Sequence, residues 1–445
     1  MTTDFSAPAA ATAPATAAPG PTRAPSAAGR RRDEAREALR ELLAERIPGQ
    51  SLDAPLYTDP DMFPHDIEGI FGRHWFFAAT VAEIPEPGDY VTIDVGRFSL
   101  IVMHGDDEEI SVLHNVCRHR GARVLQDARG STGNLVCPYH SWTYASDGRL
   151  LHAAGGGPDF DPGCLGLRRA HCQVVSGLIF VCLAQEPPED FDAVMEMVEP
   201  YFAPHEVTST KVAVRQDLVE NGNWKLTMEN NRECYHCDGH PELACSLFPT
   251  FGMTEEQVPE HHRDDWVRML SAQGRLEERC ERYGLPYRLI EEVASREAGV
   301  RIERIAMDGE GESFSASGHR LSQKLLGDLP DFRLGDLTLH LQPNCWFHFL
   351  SDHIVTFAVF PIDVDRTLVR TTWLVADDAV EGKDYYPDSL AHVWRETNLQ
   401  DAAFVEMTHR GVSDPAYVPG RYMPSEHLVD GFLTWWTARM QEHLG

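Results

Sequence analysis

Cys117-Arg118-His119 and Cys137-Pro138-Tyr139-His140 are the stretches on which the reading of this chain turns. Their pattern is Cys-x-His, a gap of seventeen residues, then Cys-x-x-His. Two thiolates would hold one iron of a [2Fe–2S] cluster and two imidazoles the other. Imidazole ligation raises the reduction potential well above that of an all-cysteine cluster. Each half is short enough to lie on one tight loop, so two hairpin tips can close over the cluster, with Gly121 and Gly133 supplying turn flexibility. A structural zinc site also uses two cysteines and two histidines. Zinc fingers of that composition usually pair like with like, whereas here each half carries one of each.

Outward from these loops the texture is short apolar strands between Gly, Pro and Asp turns, clearest at residues 90–95, 99–104, 110–114, 134–138 and 177–183. Residues 78–190 therefore read as an all-β module, with Pro187 and Pro188 marking its exit. Residues 1–30, rich in Ala, Pro, Thr and Ser, read as a disordered tail. Residues 31–77 read as a helix followed by an irregular lead-in; the helix, 31–47, carries Ala35, Leu39, Leu42, Leu43 and Ile47 at helical spacing. Residues 191–445 mix strands (211–217, 337–349, 353–361, 367–374) with helices (224–233, 276–297, 387–408, 428–442). Such a mixture makes an α+β domain.

That second domain holds its own constellation. His236 and His240 are four apart, hence on one face of a helix or its last turn. Two imidazoles plus one carboxylate make the facial triad of non-haem Fe(II) oxygenases, with positions left open for O₂. Asp401, within Asn398-Leu399-Gln400-Asp401-Ala402-Ala403, is the candidate carboxylate and Glu406 the runner-up. A lone histidine pair is as often a surface or core hydrogen-bonding feature, and an Asp in a helix is most often solvated. What lifts this pair is Glu233, three residues before His236, together with the cysteine–histidine loops upstream.

Composition narrows the classes. Across 445 residues, 39 Lys+Arg against 69 Asp+Glu give a formal charge of −30. Such a chain would repel a phosphate backbone, which argues against nucleic acid as a partner. No stretch reaches the roughly eighteen apolar residues that span a bilayer, so no membrane is expected. The tail lacks the apolar block of a signal peptide. With two of ten cysteines in metal-ligand spacing, a cytoplasmic protein with reduced thiols is the expectation, the other eight being small buried hydrophobes. Gly155 to Gly157 lacks the strand–turn–helix context of a dinucleotide site, so electrons must come from a separate protein.

The residues around both constellations resemble one family. Arg118, Arg120, Gly121 and Ala122, with Cys137 through Trp142, are similar to the two loops of Rieske proteins. Asn223 through His240 resembles the catalytic segment of Rieske oxygenase large (α) subunits, and the similarity runs from about Leu56 to Trp436. The resemblance implies an α+β fold in which an N-terminal all-β Rieske [2Fe–2S] domain is followed by a helix-grip catalytic domain with a mononuclear Fe(II). It also implies a head-to-tail homotrimer. The family's bridging acid maps to Glu233, which would hydrogen-bond His140 of the partner subunit and bring one subunit's cluster beside another's iron.

Many ring-hydroxylating members carry Asp where this chain has Glu233. Glu233-Cys234-Tyr235-His236-Cys237 is similar instead to the branch acting on quaternary ammonium compounds: glycine betaine monooxygenases, proline betaine (stachydrine) demethylases and carnitine monooxygenases. Glu229 through Leu243, with His348-Phe349-Leu350 and Arg410-Gly411-Val412, resembles the first two most. The implied reaction is oxidative N-demethylation, glycine betaine to dimethylglycine. O₂, two electrons and two protons hydroxylate an N-methyl group and yield water; the hemiaminal then collapses to formaldehyde and the less methylated amine. A separate flavin and iron–sulfur reductase would oxidise NAD(P)H. A quaternary ammonium has no N–H to donate, so its recognition relies on aromatic faces. Phe248, Phe251, Trp346, Phe347 and Phe349 are the candidates, ordinary core packing being the plain alternative for each. An aromatic-ring-hydroxylating dioxygenase α subunit, a pure electron carrier and a zinc-stabilised interaction module are the competing classes.

Overall fold

The computed structural model describes residues 27–155, 160–309 and 311–445. Residues 1–26 of the expected tail lie outside them, as do Gly156 and Gly157 of the glycine run. Helix α1 (Ala27–Glu45) buries Ala35, Leu39 and Leu43, each one turn apart, and Arg36 donates to the Leu444 carbonyl at 2.6 Å. The lead-in follows as the single turns α2 (Pro55–Thr58) and α3 (Phe63–Asp66).

Short antiparallel strands come next: β1 (Phe76–Thr80), β2 (Asp89–Val95), β3 (Phe98–His104), β4 (Ile110–His114), β5 (Arg129–Ser131), β6 (Leu135–Val136), β7 (Thr143–Tyr144), β8 (Leu150–His152), β9 (His171–Val175) and β10 (Leu178–Cys182). They form sheets of order β4-β3-β2-β5, β6-β7-β8 and β1-β10-β9. The strand expected at 134–138 is shorter, Leu135–Val136, because Cys137 already begins a loop.

Beyond helix α4 (Asp190–Phe202) the chain builds β11 (Thr210–Glu220), α5 (Trp224–Asn231), α6 (Pro241–Ala244), α7 (Arg263–Tyr283), β12 (Ile290–Glu292), β13 (Val300–Ile305), β14 (Asp336–Leu341), β15 (Cys345–Phe349), β16 (Ile354–Asp363), β17 (Arg366–Ala376), α8 (Pro387–Val412) and α9 (His427–Leu444). The sheet is antiparallel throughout, in the order β11-β17-β16-β15-β14-β13-β12. Helix α8 lies across one face, where Asn398 donates to Gln216 at 3.0 Å and to Thr371 at 2.9 Å. The α+β fold, with an all-β module ahead of a sheet-and-helix domain, is thus the observed architecture.

Register assigns the two faces. Arg301, His340, Trp346, Phe357, Thr371 and Gln216 stand in one cross-strand row on the face toward α8. Side chains alternate along a strand, so Asp336, Thr338 and His348 share that face while Phe347 and Phe349 point away. Phe347 packs on Phe77 at 4.8 Å and Phe349 stacks on Phe202 at 5.5 Å, joining the sheet to β1 and α4. Asn344 bonds both the N–H and the carbonyl of Phe77 at 2.9 Å, so the large core runs through both halves of the chain. A smaller core of Ile101, Met103, Leu113, Leu135, Trp142 and Tyr144 lies under the cysteine–histidine loops.

Three readings are corrected. The helix expected at 276–297 is α7, which starts earlier and stops before Gly284, a left-handed residue with φ 68° two residues ahead of Pro286; within the remainder only Ile290–Glu292 is regular, as strand β12. The strand at 337–349 is two, broken by a turn at Pro343, which has no ladder donor. Cysteines outside the loops are not uniformly buried thiols: Cys182, Cys280 and Cys345 are buried, Cys164 and Cys245 are exposed, and Cys234 is joined to Cys237. Their Cys-x-x-Cys spacing on a tight turn sets the Cα atoms 4.9 Å apart, within disulfide reach.

Candidate active site

The two cysteine–histidine loops are built alike. The Cys117 carbonyl accepts from Gly121 N–H at 3.0 Å and its N–H donates to Ala122 at 2.8 Å. In the second loop Cys137 makes the same bonds, with Ser141 at 3.0 Å and Trp142 at 2.8 Å. The fourth residue after each cysteine is left-handed, Gly121 at φ 77° and Ser141 at φ 58°. The turn conformation expected of Gly133 therefore belongs to Ser141, a non-glycine residue held there by the loop's own hydrogen bonds.

Both cysteines are buried and both histidines exposed. Tyr144 Oη lies 3.2 Å from Cys117 Sγ and accepts from Arg118 N–H at 3.1 Å. Burial pushes the Cys137 thiol up, and the nearby Cys117 adds to this. His119 lies flat on Trp142 (4.9 Å, 8°) and stands 4.6 Å from His140. Two thiols inside and two imidazoles outside, on matching loops, are a donor set that fits a two-iron cluster with unlike irons.

The second constellation is assembled from two distant segments. Asp401, on α8, sets Oδ1 3.3 Å from His236 Nε2 and 3.1 Å from His240 Nε2. His236 and His240 stand on a short turn after α5 rather than on a helix: α5 ends at Asn231, and the Glu233 carboxylate accepts the N–H groups of Tyr235 and His236. That capture stops the helix and aims the first ring. Glu233 also takes His236 Nδ1, and Gln400 Oε1 takes His240 Nδ1 at 2.8 Å, so both rings turn Nε2 toward Asp401. Phe404 closes one side, 5.9 and 5.7 Å from the two rings.

Among the described residues, these three could hold one metal ion. His240 Nε2 and Asp401 Oδ1 are both buried without a hydrogen bond while facing each other, as ligand atoms do when aimed at a shared cation. Desolvation opposes charge on His236, yet the Asp401 carboxylate facing it and the Glu233 hydrogen bond lift it to about 9; burial alone would raise Asp401, but the two imidazoles hold it below the usual carboxylate range. The pocket therefore favours a positive charge at this point. Glu406, five residues on, points elsewhere around α8 and pairs with Asn221 and Arg410.

The triad opens on a cavity of about 920 Å³. Of the aromatic candidates, Phe251 lines it. Phe248 is buried beside Arg268, Trp346 is stacked on Phe357 at 4.7 Å, and Phe347 and Phe349 sit on the far face of the sheet. Sequence reasoning missed Gln400, Glu220 and the aromatic lining Phe314 and Trp394. Glu220, buried and accepting from Thr227 at 2.6 Å, is pushed up to about 8 by burial, with Asp401 adding to the shift. Only Gln400, adjacent to Asp401, carried any signal in the chain.

Family models match both halves: the Rieske [2Fe–2S] domain over residues 74–158 and the ring-hydroxylating α-subunit catalytic domain over residues 207–442. The chain belongs to the Rieske oxygenase α-subunit family. A relative from Chromohalobacter salexigens, a glycine betaine monooxygenase oxygenase subunit, is 39% identical over 92% of this chain and 90% of its own length. A solved structure of the quaternary ammonium Rieske monooxygenase CntA with an inhibitor matches with TM-score 0.67 at 20% identity, over 90% of this chain and 98% of that one. Another, of a quaternary ammonium Rieske monooxygenase described for carnitine oxidation and inter-subunit electron transfer, matches with TM-score 0.65 at 20% identity and the same coverage. At that identity the two structures establish the fold. This Rieske oxygenase accordingly uses a [2Fe–2S] cluster and a mononuclear iron. Among its described residues no helix is long and apolar enough to cross a membrane.

Proposed function

We propose that this Rieske oxygenase N-demethylates glycine betaine, releasing dimethylglycine and formaldehyde, with the cluster on Cys117, His119, Cys137 and His140 of the module 78–190. The mononuclear iron would be held by His236, His240 and Asp401 of the domain 191–445. The observation that carries the reading is the two-histidine, one-aspartate site opening on a cavity, in a chain so similar to a glycine betaine monooxygenase subunit. Bound there, the iron supplies O₂ activation with electrons relayed from the cluster. The chain's own part is to fix the ligands. Gln400 and Glu233 lock the ring orientations, Phe404 packs against one side of both rings, and Glu220 is a buried carboxyl group held by Thr227. Val116, Val136 and Tyr139 are exposed around the cluster loops and Tyr235, Leu399 and Met407 around the iron site. These apolar rims suit docking of cluster face against iron face in a head-to-tail trimer, with Glu233 then reaching His140 of the partner subunit. A separate cytoplasmic reductase would feed the cluster.

The test is formaldehyde release by the iron-loaded protein with a compatible reductase and NAD(P)H. Glycine betaine, proline betaine, carnitine, choline and one aromatic acid are compared. The expected result is formaldehyde and dimethylglycine from glycine betaine, matched to NAD(P)H use. A diol from the aromatic acid, with no formaldehyde from any amine, overturns the substrate class.

A further inference from the structure

Asp336, on β14, is 0% exposed. Its Oδ2 accepts from His348 Nδ1 at 2.7 Å, while Oδ1 is buried without a hydrogen bond. A buried carboxylate left half-satisfied is costly unless a cation comes to it. Arg304, buried and also lining the cavity, feels the Asp336 charge but makes no hydrogen bond to it, donating instead to the Leu334 carbonyl at 3.1 Å. Through His348 the carboxylate is joined to a cluster of rings. His348 stacks on Trp394 at 4.3 Å, and Phe314 meets the two edge-on at 5.3 and 5.0 Å. All four residues line the cavity into which the His236–His240–Asp401 site opens.

We propose that Asp336, His348, Trp394 and Phe314 form the seat of the substrate's quaternary ammonium group. The assignment deepens, and rests on, the N-demethylase reading. A tetraalkylammonium spreads its charge over its methyl groups and donates no hydrogen bond. It is held by ring faces within about 6 Å and by a nearby negative charge. The cavity offers both in one recess. Trp394 precedes Asp401 by seven residues, two turns along the same face of α8, or about 10.5 Å between the Cα atoms. The seat and the metal ligand Asp401 therefore share one helix and one cavity. Selectivity follows from charge rather than shape. A tert-butyl group fills the same volume, yet leaves the Asp336 carboxylate uncompensated.

Binding to the oxidised holoenzyme without reductant separates recognition from turnover. Calorimetric titration compares glycine betaine with its isostere 3,3-dimethylbutanoate, which keeps the carboxylate and replaces the quaternary nitrogen by a neutral carbon, on wild type, Asp336→Asn, Trp394→Leu and Trp394→Phe. Cluster absorbance and iron content check that each variant is folded. The expected wild-type preference for the betaine is at least about tenfold. Trp394→Phe retains it, whereas Asp336→Asn and Trp394→Leu reduce it to about threefold or less. A wild-type ratio near one overturns the seat whether or not any variant folds. An unchanged ratio in folded Asp336→Asn and Trp394→Leu overturns it too. Neither result touches formaldehyde release from glycine betaine by wild type, whose absence is what sinks the N-demethylase reading.

Discussion

Asp401 Oδ1 is the oxygen that both Nε2 atoms face, at 3.3 and 3.1 Å, so the site cannot keep its geometry without it. Asp401→Ala is expected to take iron from about three per chain to about two, leave the cluster's visible spectrum unchanged and abolish formaldehyde release. Glu406→Ala on the same helix should retain all three properties, since Glu406 pairs with Arg410 and Asn221 instead. Iron analysis of both variants decides between the two carboxylates that the sequence left open. What was legible at this scale was encoded in spacing: the two cysteine–histidine loops, and His236 with His240. Asp336, Phe314, His348 and Trp394 were not legible as a group. They come from β14, β15, α8 and a loop, and only the fold gives them a common recess. For Phe347 and Phe349 the structure takes the core-packing alternative, for a related reason. A run of aromatics on a strand advertises burial, whereas the face each one takes depends on register.

Helix α5 positions the histidines, and it is anchored by buried charges that tie it to both ends of the chain. Lys225 pairs with Asp66, which also accepts from Trp224 Nε1 at 3.2 Å and Trp436 Nε1 at 2.9 Å. One turn later Glu229 accepts from Tyr57 Oη at 2.8 Å and Tyr422 Oη at 2.9 Å, and burial pushes its carboxyl group up to about 7. Between about 4.5 and 7 the folded chain keeps a proton that the unfolded chain has released, so stability falls as pH rises through that window. Glu229→Gln should flatten that fall by up to about 3 kcal/mol, read from urea unfolding at pH 5 and pH 8. Glu220, up at about 8, leaves a residual slope in the same direction. An unchanged slope in the variant would remove Glu229 from the account. Helices with strong periodicity, such as α8 and α9, were readable from the sequence. The end of α5 was not, because a side chain, Glu233, rather than a Gly or Pro, terminates it.

At the scale of the molecule, the order of the two modules was legible because each carries its metal ligands in short motifs. How they exchange electrons was not, since in the proposed ring that depends on a second copy of the chain. Within one chain Glu233 is spent on His236, and the exposed imidazoles of the cluster loops face outward. A head-to-tail ring therefore predicts complementation between two inactive variants. Cys137→Ser would lose the cluster and keep the iron, while Asp401→Ala would do the reverse. In a randomly mixed ring, an intact cluster meets an intact iron at on the order of a quarter of the contacts. Co-expressed variants should therefore recover about a quarter of wild-type formaldehyde release, while each alone gives none. If electrons instead passed within a chain, no mixture would contain a working pair, and activity would stay at zero however the subunits assort.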